Sequence, residues 1–397
     1  MNLQAKVTQH ETGVYLHVPF CATTCDFCNF YQRKPHGDDF GVFLEGIQSE
    51  IGRLPPRLPV GTVFWGGGTP GLLGPREMET IGNRLRGACA APPREWTVEM
   101  APAFVTRRKL RTLRRLGVNR LSLGVQSFSE PLLEQLGRRH TVGQVRRAID
   151  LVREEGFANF NIDLIFAIPG QAMAELEADL EQATAAAPAH ISTYCLTFEE
   201  DTALFVKLSE GKVAVDPERE ADFYLFAWRY LEDRGFPQYE VSNFARPGHE
   251  SIHNINTWRM GEWIGLGPSA ASQAGGRRYR NPASLEQWAA GLRDGRPVRE
   301  EEMELSRETL AADALVFGIR MNRGVDLARW GERFALDPRV LDPLRSDWEQ
   351  AGWAAPGAGE TLRLTDRGRL LADRLGTEIM VFLERAIPLA APPTAVP

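Results

Sequence analysis

Gly13-Val-Tyr-Leu-His-Val-Pro-Phe-Cys21-Ala-Thr-Thr-Cys25-Asp-Phe-Cys28 decides how the rest of the chain is read. Its first six residues form a short apolar run that reads as a strand, and the run leads directly into three cysteines. The same grammar recurs downstream. Further strands are predicted at 62–65, 96–100, 120–124, 160–165 and 190–196, with helices at 40–53, 75–86, 106–116, 142–155, 173–186 and 216–234. Six strand-then-helix units predict a parallel sheet, closed or nearly closed into a (β/α)6 barrel of the TIM type. Such folds carry their chemistry at the C-terminal ends of the strands. The second strand runs into Gly66-Gly-Gly-Thr-Pro70, the fourth into Gln126 and the fifth into Pro169-Gly170.

Beyond the sixth unit the pattern changes. Residues 236–281 are rich in Gly, Asn and aromatics and read as connecting loops. Helical periodicity follows at 284–292, 307–320, 327–334 and 340–351. A Gly-rich turn between short strands spans 352–364, and a last helix begins at Thr365. This order suggests a mostly helical, winged-helix-like module. The expected domains are 1–240 for the barrel, 241–285 for the connection and 286–397 for the C-terminal module. The Pro- and Ala-rich tail 387–397 is expected to fray.

The formal net charge is −6, a poor match to a nucleic-acid protein, which usually presents a basic face. Within the C-terminal module, 337–349 carries four acids against two arginines, the wrong sign for a recognition helix. Five cysteines, three of them within eight positions, do not form a disulfide framework. Residues 1–13 lack an apolar signal region, and no run reaches the roughly 18 apolar residues of a membrane helix. A reduced cytoplasmic protein is expected.

Three closely spaced thiolates can hold three corners of a [4Fe–4S] cubane and leave the fourth iron open. Zinc is the alternative; it wants four ligands, and His17 or His36 could complete such a set. The spacing alone leaves both open. Context favours the cluster: the loop follows a first strand, and a glycine turn ends the second.

Here the chain resembles the radical S-adenosylmethionine (SAM) superfamily, whose signature is C-x3-C-x2-C. Several segments resemble one subgroup of it: Tyr15-Leu-His-Val-Pro-Phe-Cys21, Phe64-Trp-Gly-Gly-Gly-Thr-Pro70, the run 117–128 ending Gln126-Ser-Phe128, Gly137-Arg-Arg-His140, Asn161-Ile-Asp-Leu164 and Tyr239-Glu-Val-Ser-Asn-Phe244. That subgroup holds oxygen-independent coproporphyrinogen III oxidase and the heme chaperones of the HemW group. The resemblance implies that Cys21, Cys25 and Cys28 ligate the cluster. It implies that Gly67, Gly68 and Thr69 meet the methionine amino group of SAM and that Glu99 meets the ribose hydroxyls. Gln126, Arg138 and Asp163 match further positions around SAM, and Tyr15 and Phe27 match residues that pack on cofactor and cluster. Cys89 and Cys195 receive no role.

Two departures from the oxidase pattern favour the chaperone branch. The oxidases carry a further cysteine where this chain has Phe30, and a longer segment before the tyrosine of strand one. The chaperone branch also carries a heme-associated H-N-x-x-Y-W element. Here it reads His253-Asn-Ile-Asn-Thr-Trp258, with Thr257 in place of tyrosine; downstream, Ala271 stands where relatives usually have histidine. The resemblance therefore implies a protein that binds heme, with His253 as the candidate axial donor, and delivers it to an apo-hemoprotein. A porphyrinogen oxidase is the alternative. Peripheral membrane contact and a homodimer stay open.

Overall fold

The computed structural model describes residues 11–357 and 359–386. Six strands lie side by side in chain order, all parallel: β1 (Thr12–Val18), β2 (Val60–Gly67), β3 (Glu95–Met100), β4 (Arg120–Gln126), β5 (Phe160–Phe166) and β6 (His190–Cys195). The predicted helices are present at Asp39–Ile51, Pro75–Ala88, Arg107–Leu116, Val142–Glu154, Met173–Ala185 and Pro217–Glu232. Local chemistry sets their ends. Thr106 caps Arg107–Leu116 by accepting from the Lys109 N–H, and the helix stops at Gly117, whose φ of 95° suits a residue without a Cβ. Thr141 and Gln144 form a reciprocal capping box on Val142–Glu154.

Strand alternation builds a hollow rather than a packed barrel. Val14, Leu16, Val18, Val63, Trp65, Val98, Leu121, Leu123, Ile162, Leu164 and Ile191 point outward and are buried under the helices. The opposite faces carry Tyr15, His17, Phe64, Glu99, Ser122, Asn161, Asp163, His190 and Ser192, which touch one another across the interior. A wall of polar groups needs partners or ligand; it cannot be closed by apolar layers.

The barrel is open. β1 and β6 do not pair; each edge is extended instead. β9 (Trp263–Leu266) adds in parallel to β1 and is followed by antiparallel β10 (Ala271–Ala274), β11 (Arg277–Arg280) and β12 (Glu300–Glu304). On the other edge, β8 (Asn243–Ala245) pairs antiparallel with β6, and β7 (Gln238–Glu240) pairs with β8. The loop-rich reading of 236–281 is thereby corrected. These strands have three or four residues, too few for a period of two to register, and edge pairing rather than propensity holds them. The helix Ile252–Trp258 lies between them in sequence.

A second core gathers Leu315, Ile319, Trp330, Phe334, Trp348, Leu375 and Ile379. They belong to helices Arg307–Gly318, Leu327–Phe334, Asp342–Gln350 and Ala372–Ala386. A two-stranded ladder, β13 (Val325–Asp326) with β14 (Thr361–Leu362), completes the module. The tail 387–397 and residues 1–10 of the polar N-terminal segment fall outside the described residues. Among the described residues no helix is long and apolar enough to cross a membrane.

Candidate functional site

The cysteine loop emerges from the C-terminal end of β1 and is braced from both sides. Cys21 N–H donates to the Arg33 carbonyl at 3.0 Å, and Arg33 N–H donates to Pro19 at 2.7 Å. The Arg33 guanidinium meets Asp39 at 3.3 Å and Glu286 at 2.6 Å. Asp26, beside Cys25, donates its N–H to Leu136 and accepts at its carbonyl from Leu204 N–H. Its carboxylate pairs with Lys207 at 2.9 Å. Leu204 and Lys207 sit on Ala203–Ser209, a helix the sequence reading missed.

Cys21, Cys25 and Cys28 are free and half-buried. Burial pushes the Cys21 thiol up to about 11; the Thr69 hydroxyl at 3.3 Å opposes this, and Cys28 and Cys25 add to it. Burial likewise raises Cys28, and Arg138 pulls both thiols the other way. Thiols in this state give up their protons to a metal rather than to water. Of the histidines that could complete a zinc set, His17 is committed elsewhere. Its Nε2 lies 2.9 Å from the Tyr31 carbonyl and its Nδ1 3.1 Å from the Tyr15 hydroxyl.

The glycine turn has internal reasons for lacking side chains. A Cβ on Gly68 would sit 2.7 Å from the Phe20 carbonyl, and one on Gly67, whose φ is +98°, would meet the His17 ring at 2.6 Å. One on Gly66 would lie 2.9 Å from the Glu99 carboxylate. The turn therefore lets β2 close against the start of the cysteine loop, and it places Gly67 N–H on Glu99.

Glu99 from β3 and Asp163 from β5 face each other's field. Burial first, then Asp163, raises Glu99 to about 8. Burial raises Asp163, against hydrogen bonds from Ser122 and Asn161. Arg138 is the counter-charge: it opposes the rise at Glu99 and stands 5.7 Å over the Phe27 ring. Its Nε is buried without a hydrogen-bond partner, and no ion pair to it occurs among the described residues. A guanidinium without an ion pair among the described residues, in the field of Glu99, Cys21 and Cys28, suits a ligand with a carboxylate, an ammonium and hydroxyls. Gln126 ends β4 at φ 71°, a strained conformation for a non-glycine residue. The following turn is clamped by Asp179, which accepts from Ser127 Oγ at 2.7 Å and Phe128 N–H at 2.6 Å.

Tyr194 joins this group, and the sequence reading omitted it. It is 41% exposed, yet burial and Asp163 push its hydroxyl well above the ordinary range; it opens onto the hollow. Its signal was the alternation His190, Ser192, Tyr194 along β6. Phe30, two residues beyond Cys28, is 65% exposed.

His253 is not brought to this site. It lies at the opposite, N-terminal end of the strands, with Nδ1 2.9 Å from Thr62 Oγ1 and its ring stacked 5.3 Å from Phe64. Burial lowers it to about 4. The backbone N–H groups of Ile252 and His253 rest on the Glu95 carboxylate at 2.9 and 3.0 Å. Trp258 packs on Phe317 of the C-terminal module at 5.9 Å, under the Arg320 guanidinium. The His253 ring thus fills the barrel floor beside Thr62 and Phe64, and the tryptophan packs on the second core.

Comparison with known proteins agrees with this geometry. Residues 15–183 match the radical SAM superfamily and residues 305–371 the HemN C-terminal domain. The heme chaperone HemW of Mycobacterium tuberculosis is 35% identical over 372 residues, covering 91% of this chain and 93% of that protein. HemW of Synechocystis is 35% identical over 336 residues, covering 80% of each. A mitochondrial radical S-adenosyl methionine domain-containing protein 1 of Danio rerio is 32% identical, covering 96% of this chain and 88% of its own length. The solved structure of coproporphyrinogen III oxidase (HemN) from Escherichia coli superposes with a TM-score of 0.79 at 22% identity, covering 94% of this chain and 91% of that one.

Proposed function

Since the chain belongs to the radical SAM superfamily, in the group of the HemW heme chaperones, we propose that it holds a [4Fe–4S] cluster on Cys21, Cys25 and Cys28, binds SAM beside it, and takes up heme for delivery to an apo-hemoprotein. The observation that carries the cofactor reading is that three free thiols lie in one another's field and in reach of Arg138 and Glu99, although among the described residues they are not drawn together as a metal-holding group. When bound, the cluster supplies an open iron for the methionine end of SAM and the electron for its cleavage. The protein's own groups do the rest. Arg138 pairs the methionine carboxylate, the Gly67–Thr69 turn receives the ammonium, and Glu99 and Asp163 orient the hydroxyl-bearing end. Thr69 keeps Cys21 in place through its hydroxyl.

The heme reading is supported by the names of the relatives and by Phe30, an exposed apolar side chain where the oxidases have a further cysteine. Anaerobic reconstitution of one sample tests both halves. About four irons per chain are expected, as one cubane requires, together with a saturable Soret change at one equivalent of heme. Replacing Cys21, Cys25 or Cys28 with alanine should abolish the iron, whereas Cys89→Ala and Cys195→Ala should keep it. Coproporphyrinogen III should remain unconverted in the presence of reductant and SAM. One zinc without labile sulfide would overturn the cluster, and robust porphyrinogen turnover would overturn the chaperone role.

A further inference from the structure

A continuous hydrogen-bonded chain crosses the barrel floor and ends on Asp163; a backbone donor at one end, and Ser192 Oγ donating to Asn161 Oδ1 at 3.2 Å, agree on its direction. Ser251 N–H, just before the helix Ile252–Trp258, donates to the Tyr239 hydroxyl at 3.2 Å. Tyr239 Oη lies 2.8 Å from His190 Nε2, and His190 Nδ1 lies 2.7 Å from Asn161 Oδ1. Asn161 Nδ2 donates to Asp163 Oδ1 at 2.7 Å and to Ser122 Oγ at 2.7 Å. Ser122 Oγ donates to Asp163 Oδ2 at 3.0 Å.

Asn161 Oδ1 accepts from Ser192 Oγ while its Nδ2 donates to Asp163, so His190 Nδ1 donates to that oxygen, and the Tyr239 hydroxyl, which accepts from Ser251 N–H, gives its one proton to His190 Nε2. Nε2 is then the acceptor, and Nδ1 carries the imidazole proton. That proton selects Asn161 Oδ1 and leaves the Asn161 amide nitrogen facing Asp163. His190 is fully buried and Asn161 nearly so; no water can supply the alternative arrangement. Reversing any one link would point the Asn161 oxygen at the Asp163 carboxylate.

We propose that Tyr239 and His190 are positioning residues of the SAM pocket: through the tautomer of His190 and the amide of Asn161 they present Asp163 in its binding orientation. Within the Tyr239–Phe244 segment Asn243 Oδ1 lies 2.6 Å from Ser192 Oγ, and the relay accounts for the tyrosine. The inference rests on the reading of Asp163 as a SAM-contacting group.

The test is SAM affinity by equilibrium dialysis on the anaerobically reconstituted full chain, for Asp163→Asn, Tyr239→Phe and the double variant, with iron content and thermal midpoint followed in parallel. Tyr239→Phe removes one oxygen and keeps the ring; His190→Gln serves as a second probe. Tyr239→Phe should weaken SAM about tenfold, the scale of a lost hydrogen bond to a charged group, with the iron retained. In the Asp163→Asn background the same change should add little, because the relay then has no carboxylate to orient. Parent-like affinity in Tyr239→Phe overturns the proposal. So does a loss that is fully additive in the double variant, as a merely structural role would give. If Asp163→Asn itself binds SAM like the parent, the assignment of Asp163 fails first and the relay with it.

Discussion

Glu99 is the residue where burial and function pull hardest against each other. Its carboxyl is held near pKa 8 by burial and by Asp163. A carboxyl that binds its proton more tightly in the folded state stabilises the fold at low pH and gives that stability up as pH rises through the folded value. For Glu99 the loss falls between the ordinary carboxylate range and about 8. Glu50 and Glu240, each raised by burial to about 7, act in the same direction. His17 and His253, lowered to about 4 by burial, act the opposite way below the ordinary histidine range. In cluster-free, SAM-free protein the urea midpoint is therefore expected to fall as pH rises from the ordinary histidine range to about 8. Glu99→Gln should flatten part of that fall. An identical slope in the variant would mean that Glu99 is not held protonated by its surroundings.

At the scale of elements, the helix Ile252–Trp258 separates what could be read from what could not. The six βα units were legible because each pairs an apolar outward face with a helix of period 3.6, and Cys21, Gly67, Glu99, Gln126, Arg138 and Asp163 all lie at their ends. The short edge strands were not, since β8 and β9 are anchored on β6 and β1, remote in sequence, and β7, β10 and β11 are hairpin strands of three or four residues built onto them. Asp26, Asp179 and Lys207 were missed for the same reason: each acts on a partner dozens of residues away, with no local pattern. His253 was legible as a histidine in a family element, yet its surroundings come from β1, β2 and β3, which no local reading supplies. His253→Ala should cost about 1–3 kcal/mol of stability, from the cavity under Phe64 and the lost bond to Thr62. Heme titration should be unchanged in the same variant. A weakened or spectrally altered heme complex with unchanged stability would restore His253 as a ligand.

For the whole molecule, the cysteine loop is local in sequence but its supports are not. Arg33 reaches Glu286, and Asp26 reaches Leu204 and Lys207; β1 itself is completed by β9. Exposed pairs contribute little singly, so Asp26→Ala and Arg33→Ala should each have a small effect. Combined in the full chain, they should speed bleaching of the reconstituted cluster in air several-fold. Bleaching at the parent rate would show that the loop stands without these braces. The same arrangement sets an order in time. On the ribosome the cysteines emerge first, while Glu286 follows Arg33 by 253 residues. At synthesis rates of ~5–20 residues per second that gap lasts roughly 13–50 s. Throughout it Arg33 lacks its Glu286 partner, and for most of it β1 has β2 on one side but not β9 on the other. The supports of the cysteine loop are thus assembled in an order scheduled by translation, with the outermost clamp last.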